Sequence, residues 1–223
     1  MKRYFTSAAV FAAGMLVVNT ATATVVDLSA DGQDNVNGAI FTINNTQPAG
    51  SGVFKPFLTV QNSPWEQGYN SSTGNFDTKR EPQFNHEIRF SDLQMTTING
   101  QSYYGFAIDV NEPNGGGKST ISLNDLSLWT SATTQNSTST DSNGFFNGSL
   151  GTLRYNMAGT VVTYDDQHHG SGQADISVFV PTSYFAGTNA NDYVYMFQRW
   201  GNTDASEGVV FFPLISVVWP RRQ

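Results

Sequence analysis

The stretch Glu112–Thr120, EPNGGGKST, ends in the Gly-Lys-Ser of a phosphate-binding loop. Such a loop cradles phosphate with backbone N–H groups, and it needs G-x-x-x-x-G-K-[ST] at the start of a helix. Here Glu112 stands at the first required glycine, and the STISLNDLSLW that follows is rich in strand formers. The glycines therefore read as a turn between two strands.

The oxygen-bearing side chains around that turn point to different chemistry. Asp109, Asn111, Glu112 and Asp125, with Asn114 between them, offer carboxylate and amide oxygens around one loop. Calcium prefers several such ligands, and an ion held only by the native state stabilises that state. Asp109, Asn111, Glu112 and Asp125 are accordingly the candidate site for a structural calcium. The competing reading is a set of solvated acids and Asx turns. DLSADGQDNVNG, residues 27–38, is a second oxygen-rich loop, but its spacing is not that of an EF-hand. In YDDQHHGSG, Asp165 and Asp166 precede His168 and His169. Adjacent imidazoles on an extended chain point to opposite sides, which favours a surface turn over a zinc or copper site.

A third constellation is Trp65, Glu66, Gln67, Tyr69 and Asn70 in the segment PWEQGYN. Aromatic faces flanked by amides and a carboxylate are the composition of a carbohydrate site. Tyr103, and Trp200 with Asn202, have the same character, and core packing is the competing role for all these aromatic residues. Catalytic groups are poorly represented. The chain has no cysteine and no G-x-S-x-G elbow, and nothing pairs any two of Glu66, Glu81, Glu87, Glu112 and Glu207 across a sugar bond. The reading is non-catalytic.

These residues must be held by a chain of 223 residues that opens MKRYFTSAAVFAAGMLVVNTATA. A basic start, an apolar run too short to span a bilayer and a small-x-small Ala21-Thr22-Ala23 site describe a secretory signal peptide, residues 1–23. Cleavage there leaves residues 24–223 as one domain and removes Lys2 and Arg3, so 11 bases fall to 9 against 18 acids and the net charge moves from −7 to −9. That balance argues against nucleic acid, whose binding rests on cationic neutralisation of phosphates. Without cysteine, an exported domain depends on sheet pairing and packing rather than disulfides.

Period-2 alternation dominates the rest. TINGQSYYGFAIDV predicts a hairpin turning at Asn99-Gly100, with Tyr104, Phe106, Ile108 and Val110 on one face and Tyr103 on the other. Further strands are expected at Ala39–Ile43, Phe57–Gln61, His86–Phe90, Gln94–Ile98, Ile121–Trp129 and Gly159–Tyr164, and in ADISVFVP and DYVYMFQRW. TSATTQNSTSTDSNG, Thr130 to Gly144, reads as a mobile surface loop. The apolar run Val209–Trp219 is short for a membrane span and contains Pro213, so a closing strand is expected. The architecture implied is an all-β antiparallel sandwich, jelly-roll-like. Its edge strands leave room for self-association.

Four segments, in order, resemble the PEP-CTERM (exosortase-sorted) exported bacterial surface proteins: FLTVQNSPWEQGYNSS, YYGFAIDVNEPNGGGKSTISLNDLSLW, GSGQADISVFVPTSYF and NDYVYMFQRWGNTDASEG. The resemblance runs from about Phe57 to Gly208. It implies a secreted, all-β extracellular matrix or surface protein that associates with polysaccharide or with other surface proteins. A dedicated carbohydrate-binding module and a secreted polysaccharide hydrolase are the alternatives. The chain departs from that group at its C-terminus, where VVFFPLISVVWPRRQ replaces the usual Pro-Glu-Pro, membrane helix and basic tail. Release outside the cell, without a membrane span in the mature chain, is the expectation.

Overall fold

The computed structural model describes residues 24–29, 32–43, 54–62, 65–111, 120–165, 174–201 and 214–220. Strands form wherever β-branched and aromatic residues recur between Gly-, Asn- and Pro-containing turns. In chain order they are β1 (Val25–Asp27), β2 (Gln33–Val36), β3 (Ala39–Ile43), β4 (Phe54–Val60), β5 (Trp65–Tyr69), β6 (Ile88–Arg89), β7 (Met95–Ile98), β8 (Gln101–Asn111), β9 (Thr120–Ser131), β10 (Thr152–Asn156), β11 (Val161–Asp165), β12 (Ile176–Pro181), β13 (Tyr193–Gly201) and β14 (Leu214–Pro220). Single helical turns occupy Phe90–Asp92 and Thr182–Phe185.

The strands build two sheets packed face to face, the expected all-β sandwich. Sheet A runs β1-β11-β9-β13-β5, with β10 also on β9 and β6 also on β13. Sheet B runs β2-β3-β12-β8-β14-β4, with β7 also on β8. All pairings are antiparallel except β1 with β11. The β7–β8 hairpin turns at Asn99 and Gly100, whose φ values of 49° and 81° are those of the type I′ turn that matches strand twist. Asn37 and Gly38, at 47° and 85°, repeat the device between β2 and β3, inside the oxygen-rich segment 27–38.

Alternation sorts the side chains. Leu123, Leu126 and Leu128 of β9 and Val194, Met196 and Trp200 of β13 face Phe106, Ile108 and Val110 of β8 and Ile176, Val178 and Val180 of β12 across the main core. Tyr103 is buried on the opposite face of β8 rather than exposed, which removes it as a sugar platform. The expected strand at His86–Phe90 is shorter than anticipated: only Ile88 and Arg89 pair, and the chain then tightens into a helical turn.

Sheet A is also covered on its outer face. Tyr69, Tyr195, Phe197 and Leu150 form a second buried cluster, with Phe76, Trp129, Phe146 and Tyr193 packed against it. Its cover comes from the loop after β5 and from a strap, residues 132–150, that crosses back over the sheet. The strap is not the loose excursion its Ser, Thr and Asn content predicts. Gln135 donates its N–H to the Tyr195 hydroxyl at 2.8 Å, and the Tyr69 hydroxyl donates to the Ser137 carbonyl at 3.0 Å. Phe146 stacks on Phe197 with ring centroids 4.9 Å apart. Burial pushes both the Tyr69 and Tyr195 hydroxyls up to about 12, so they stay protonated.

Candidate functional site

The outer face of sheet A carries a depression of about 340 Å³ lined by Asn62, Trp65, Gln67, Asp77, Phe145 and Arg199, with Asn143 and Gly144 at its rim. Register puts its floor together. On β5 and β13, Gln67 pairs with Arg199 and Trp65 with Gly201. Because side chains alternate, Trp65, Gln67 and Tyr69 point outward while Glu66 and Asn70 point between the sheets. Gly201 leaves the space that the Trp65 indole fills, since a Cβ there would run into the ring.

The strap supplies the other wall. Asp141 organises its tip by accepting the N–H groups of Asn143 and Phe145 on one carboxylate oxygen, at 2.8 and 3.0 Å. Gly144 follows with φ 80°, a conformation that favours glycine. This turn presents Phe145 edge-on to Trp65, with centroids 5.7 Å apart, and beneath it lies the Arg199 guanidinium, 4.3 Å from the ring centroid. Gln67 locks the strap to the sheet. Its Nε2 donates to the Gly144 carbonyl at 2.7 Å, and its Oε1 accepts the Phe146 N–H at 3.0 Å.

Asp77 forms the far wall. It accepts from Asn62 Nδ2 at 2.7 Å and from the Gln67 N–H at 2.9 Å. Burial raises its carboxyl above the ordinary value, with those hydrogen bonds opposing the rise. Across β13, Asp125 of β9 stands opposite Arg199. Its carboxyl is raised by burial, and the guanidinium pulls it back down.

The structure divides the sugar patch anticipated from the sequence. Trp65 is 36% exposed and Gln67 is half-buried, and both line the depression. Glu66, Tyr69 and Asn70 are almost fully buried and cannot meet a ligand there. Glu66 accepts the Asn62 N–H at 3.1 Å. Asn70 extends the pairing of β5, accepting from the Met196 N–H at 2.7 Å and donating to the Val194 carbonyl at 2.9 Å. Trp200 is likewise a core residue, its indole N–H donating to Gln198 at 2.8 Å. Three groups that the sequence reading missed complete the site: Asp77, Phe145 and Arg199. They lie far apart in the chain, and only pairing and the strap bring them together.

The candidate calcium ligands do not converge as a set. Asp109 is buried on the outer face of sheet B, whereas Asp125 lies on the outer face of sheet A. The two point away from each other across the sandwich, so no single ion joins the four residues. Asn111 is described by its backbone within β8, and Glu112 and Asn114 lie outside the described residues, as do Asp166, His168, His169 and Asn202. Among the described residues no group of three or more His, Asp or Glu side chains is placed to hold a metal.

No known protein family, curated protein or solved structure matches the chain.

Proposed function

We propose that the chain is an exported, non-catalytic extracellular surface or matrix protein that binds polysaccharide through the depression between Trp65 and Phe145. One observation carries this reading: an exposed indole stands beside amide, carboxyl and guanidinium groups in an open hollow on a sheet face. The apolar face of a sugar ring packs on such an aromatic surface, while the surrounding polar groups take its hydroxyls. The leader-like residues 1–23 and the resemblance to exported surface proteins support an extracellular setting. No helix among the described residues is long and apolar enough to cross a membrane.

The test is polysaccharide pull-down and a glycan array with the chain from Thr24 onward and with its Trp65→Ala variant, fold retention being checked by circular dichroism. Binding that falls at least about tenfold, which is about 1.4 kcal/mol, supports the reading. A folded Trp65→Ala protein with unchanged binding, or a native protein that captures no glycan, rejects it.

A further inference from the structure

Beyond the Trp65 depression, the same sheet face carries a second one of about 300 Å³, in which Asn124, Asp125, Trp129, Phe146, Asn147 and Asn156 all take part. Arg199 lines both. The two hollows have matching make-up: a tryptophan, a phenylalanine of the strap, amides, one carboxyl and the shared guanidinium. No motif in the sequence marks the second, because its residues come from β9, β10, β13 and the strap.

Two features of its wall point to a ligand. The ladder between β9 and β13 shifts register at Asn124, which places an extra residue between Leu123 and Asp125. Among the described residues the Asn124 Oδ1 has no hydrogen-bond partner, and neither has the Arg199 Nε. Among the described residues the guanidinium makes no hydrogen bond or ion pair, being held instead by stacking on Phe145. A guanidinium positioned by stacking keeps its terminal N–H groups for another acceptor. Asp125, Asn124 and Asn156 add acceptors and donors around it, a mixed set suited to hydroxyls, which do both.

We propose that the two depressions are successive sugar subsites of one groove, joined at Arg199, so that the ligand is a stretch of polysaccharide at least two sugars long. This rests on the polysaccharide reading above and adds to it the length of ligand recognised. Binding in two linked hollows makes the second contact intramolecular, and affinity then rises with chain length until both are filled.

The experiment is calorimetric titration of the chain from Thr24 onward with cello-, chito- and manno-oligosaccharides, from the monosaccharide to the hexasaccharide. For the series that binds, affinity increases about tenfold or more between the monosaccharide and the trisaccharide. Asn124→Ala, which removes an amide lining only the second hollow, and Leu153→Arg, which fills that hollow from a 42% exposed position, both abolish that gain and leave monosaccharide binding at the Trp65 hollow unchanged. Trp65→Ala weakens every member of the series. An affinity independent of length, or long oligomers bound equally well by both second-hollow variants, overturns the two-subsite groove while leaving Trp65-dependent binding standing. Failure of every series together with failure of the pull-down overturns both.

Discussion

Asp77 pairs with Gln67 as a neighbouring strand would. Its N–H donates to the Gln67 carbonyl at 3.1 Å, and its carboxylate accepts the Gln67 N–H at 2.9 Å. One residue thus satisfies both backbone groups of Gln67 on the free edge of β5, an edge that would otherwise template another chain. Asp77→Ala leaves the Gln67 N–H unpaired, at a cost of about 1–3 kcal/mol, and opens the edge. The expected result is a lower denaturation midpoint together with concentration-dependent dimers in light scattering. A monomer at all concentrations would show that the rest of the loop guards the edge without it.

Gly201→Ala tests the site without removing any polar group. The added Cβ displaces the Trp65 indole from its seat. Glycan binding should fall by about as much as in Trp65→Ala, roughly tenfold. Near-ultraviolet circular dichroism reports the changed environment of the indole, and binding at the native level would mean that the position of the ring is unimportant.

Two partly buried carboxyls make stability depend on pH in an unusual direction. Burial raises both Asp77 and Asp125 in the folded state above their ordinary value of 3.8. The native protein therefore holds these protons more tightly than the unfolded chain does. Their contribution to stability is present below pH 3.8 and is lost as pH rises through the raised folded values. Asp125→Asn remains neutral throughout. Subtracting its denaturation curve from that of the native protein should isolate a component that declines with rising pH and then levels off. A flat difference would contradict the burial of Asp125.

Asn70→Ala separates architecture from recognition. The buried Met196 N–H loses its acceptor and the Val194 carbonyl loses a donor, which should destabilise the domain by about 2–4 kcal/mol. Urea denaturation measures the loss. Below the transition, glycan affinity should remain native, because Asn70 lies inside the sandwich and reaches neither hollow.

How much of this was legible in the residues depended on how local the cause was. The β7–β8 hairpin was, because Asn99-Gly100 dictates the turn and alternation dictates the faces. Ala39–Ile43 was read with its bounds correct for the same reason. Strands β1, β2, β5 and β10 were not, being short and polar or carrying residues that also suit other roles. WEQGY looked like a ligand patch, yet only Trp65 and Gln67 reach the depression, since pairing with β13 turns Glu66 inward and the strap covers Tyr69. The strap misled by composition. Its Ser, Thr and Asn residues signal a loop, but Phe146 buries against Phe197 and ties it down. Arg199 and Asp77 carried no local signal at all, for their neighbours in space are remote in sequence.

The position of β14 has a bearing on when the protein can fold. This strand, the last among the described residues, does not sit at a margin; it fills the slot between β8 and β4 in sheet B. Until residues 214–220 have emerged, β4 and β8 lack the partner that joins them, and sheet B exists only in parts. Completion thus waits for residues 214–220, through contacts of long sequence separation that form slowly. For a polypeptide proposed to leave the cell through a narrow channel, such a delay is useful. It keeps the chain threadable during translocation and defers locking of the sandwich to the far side.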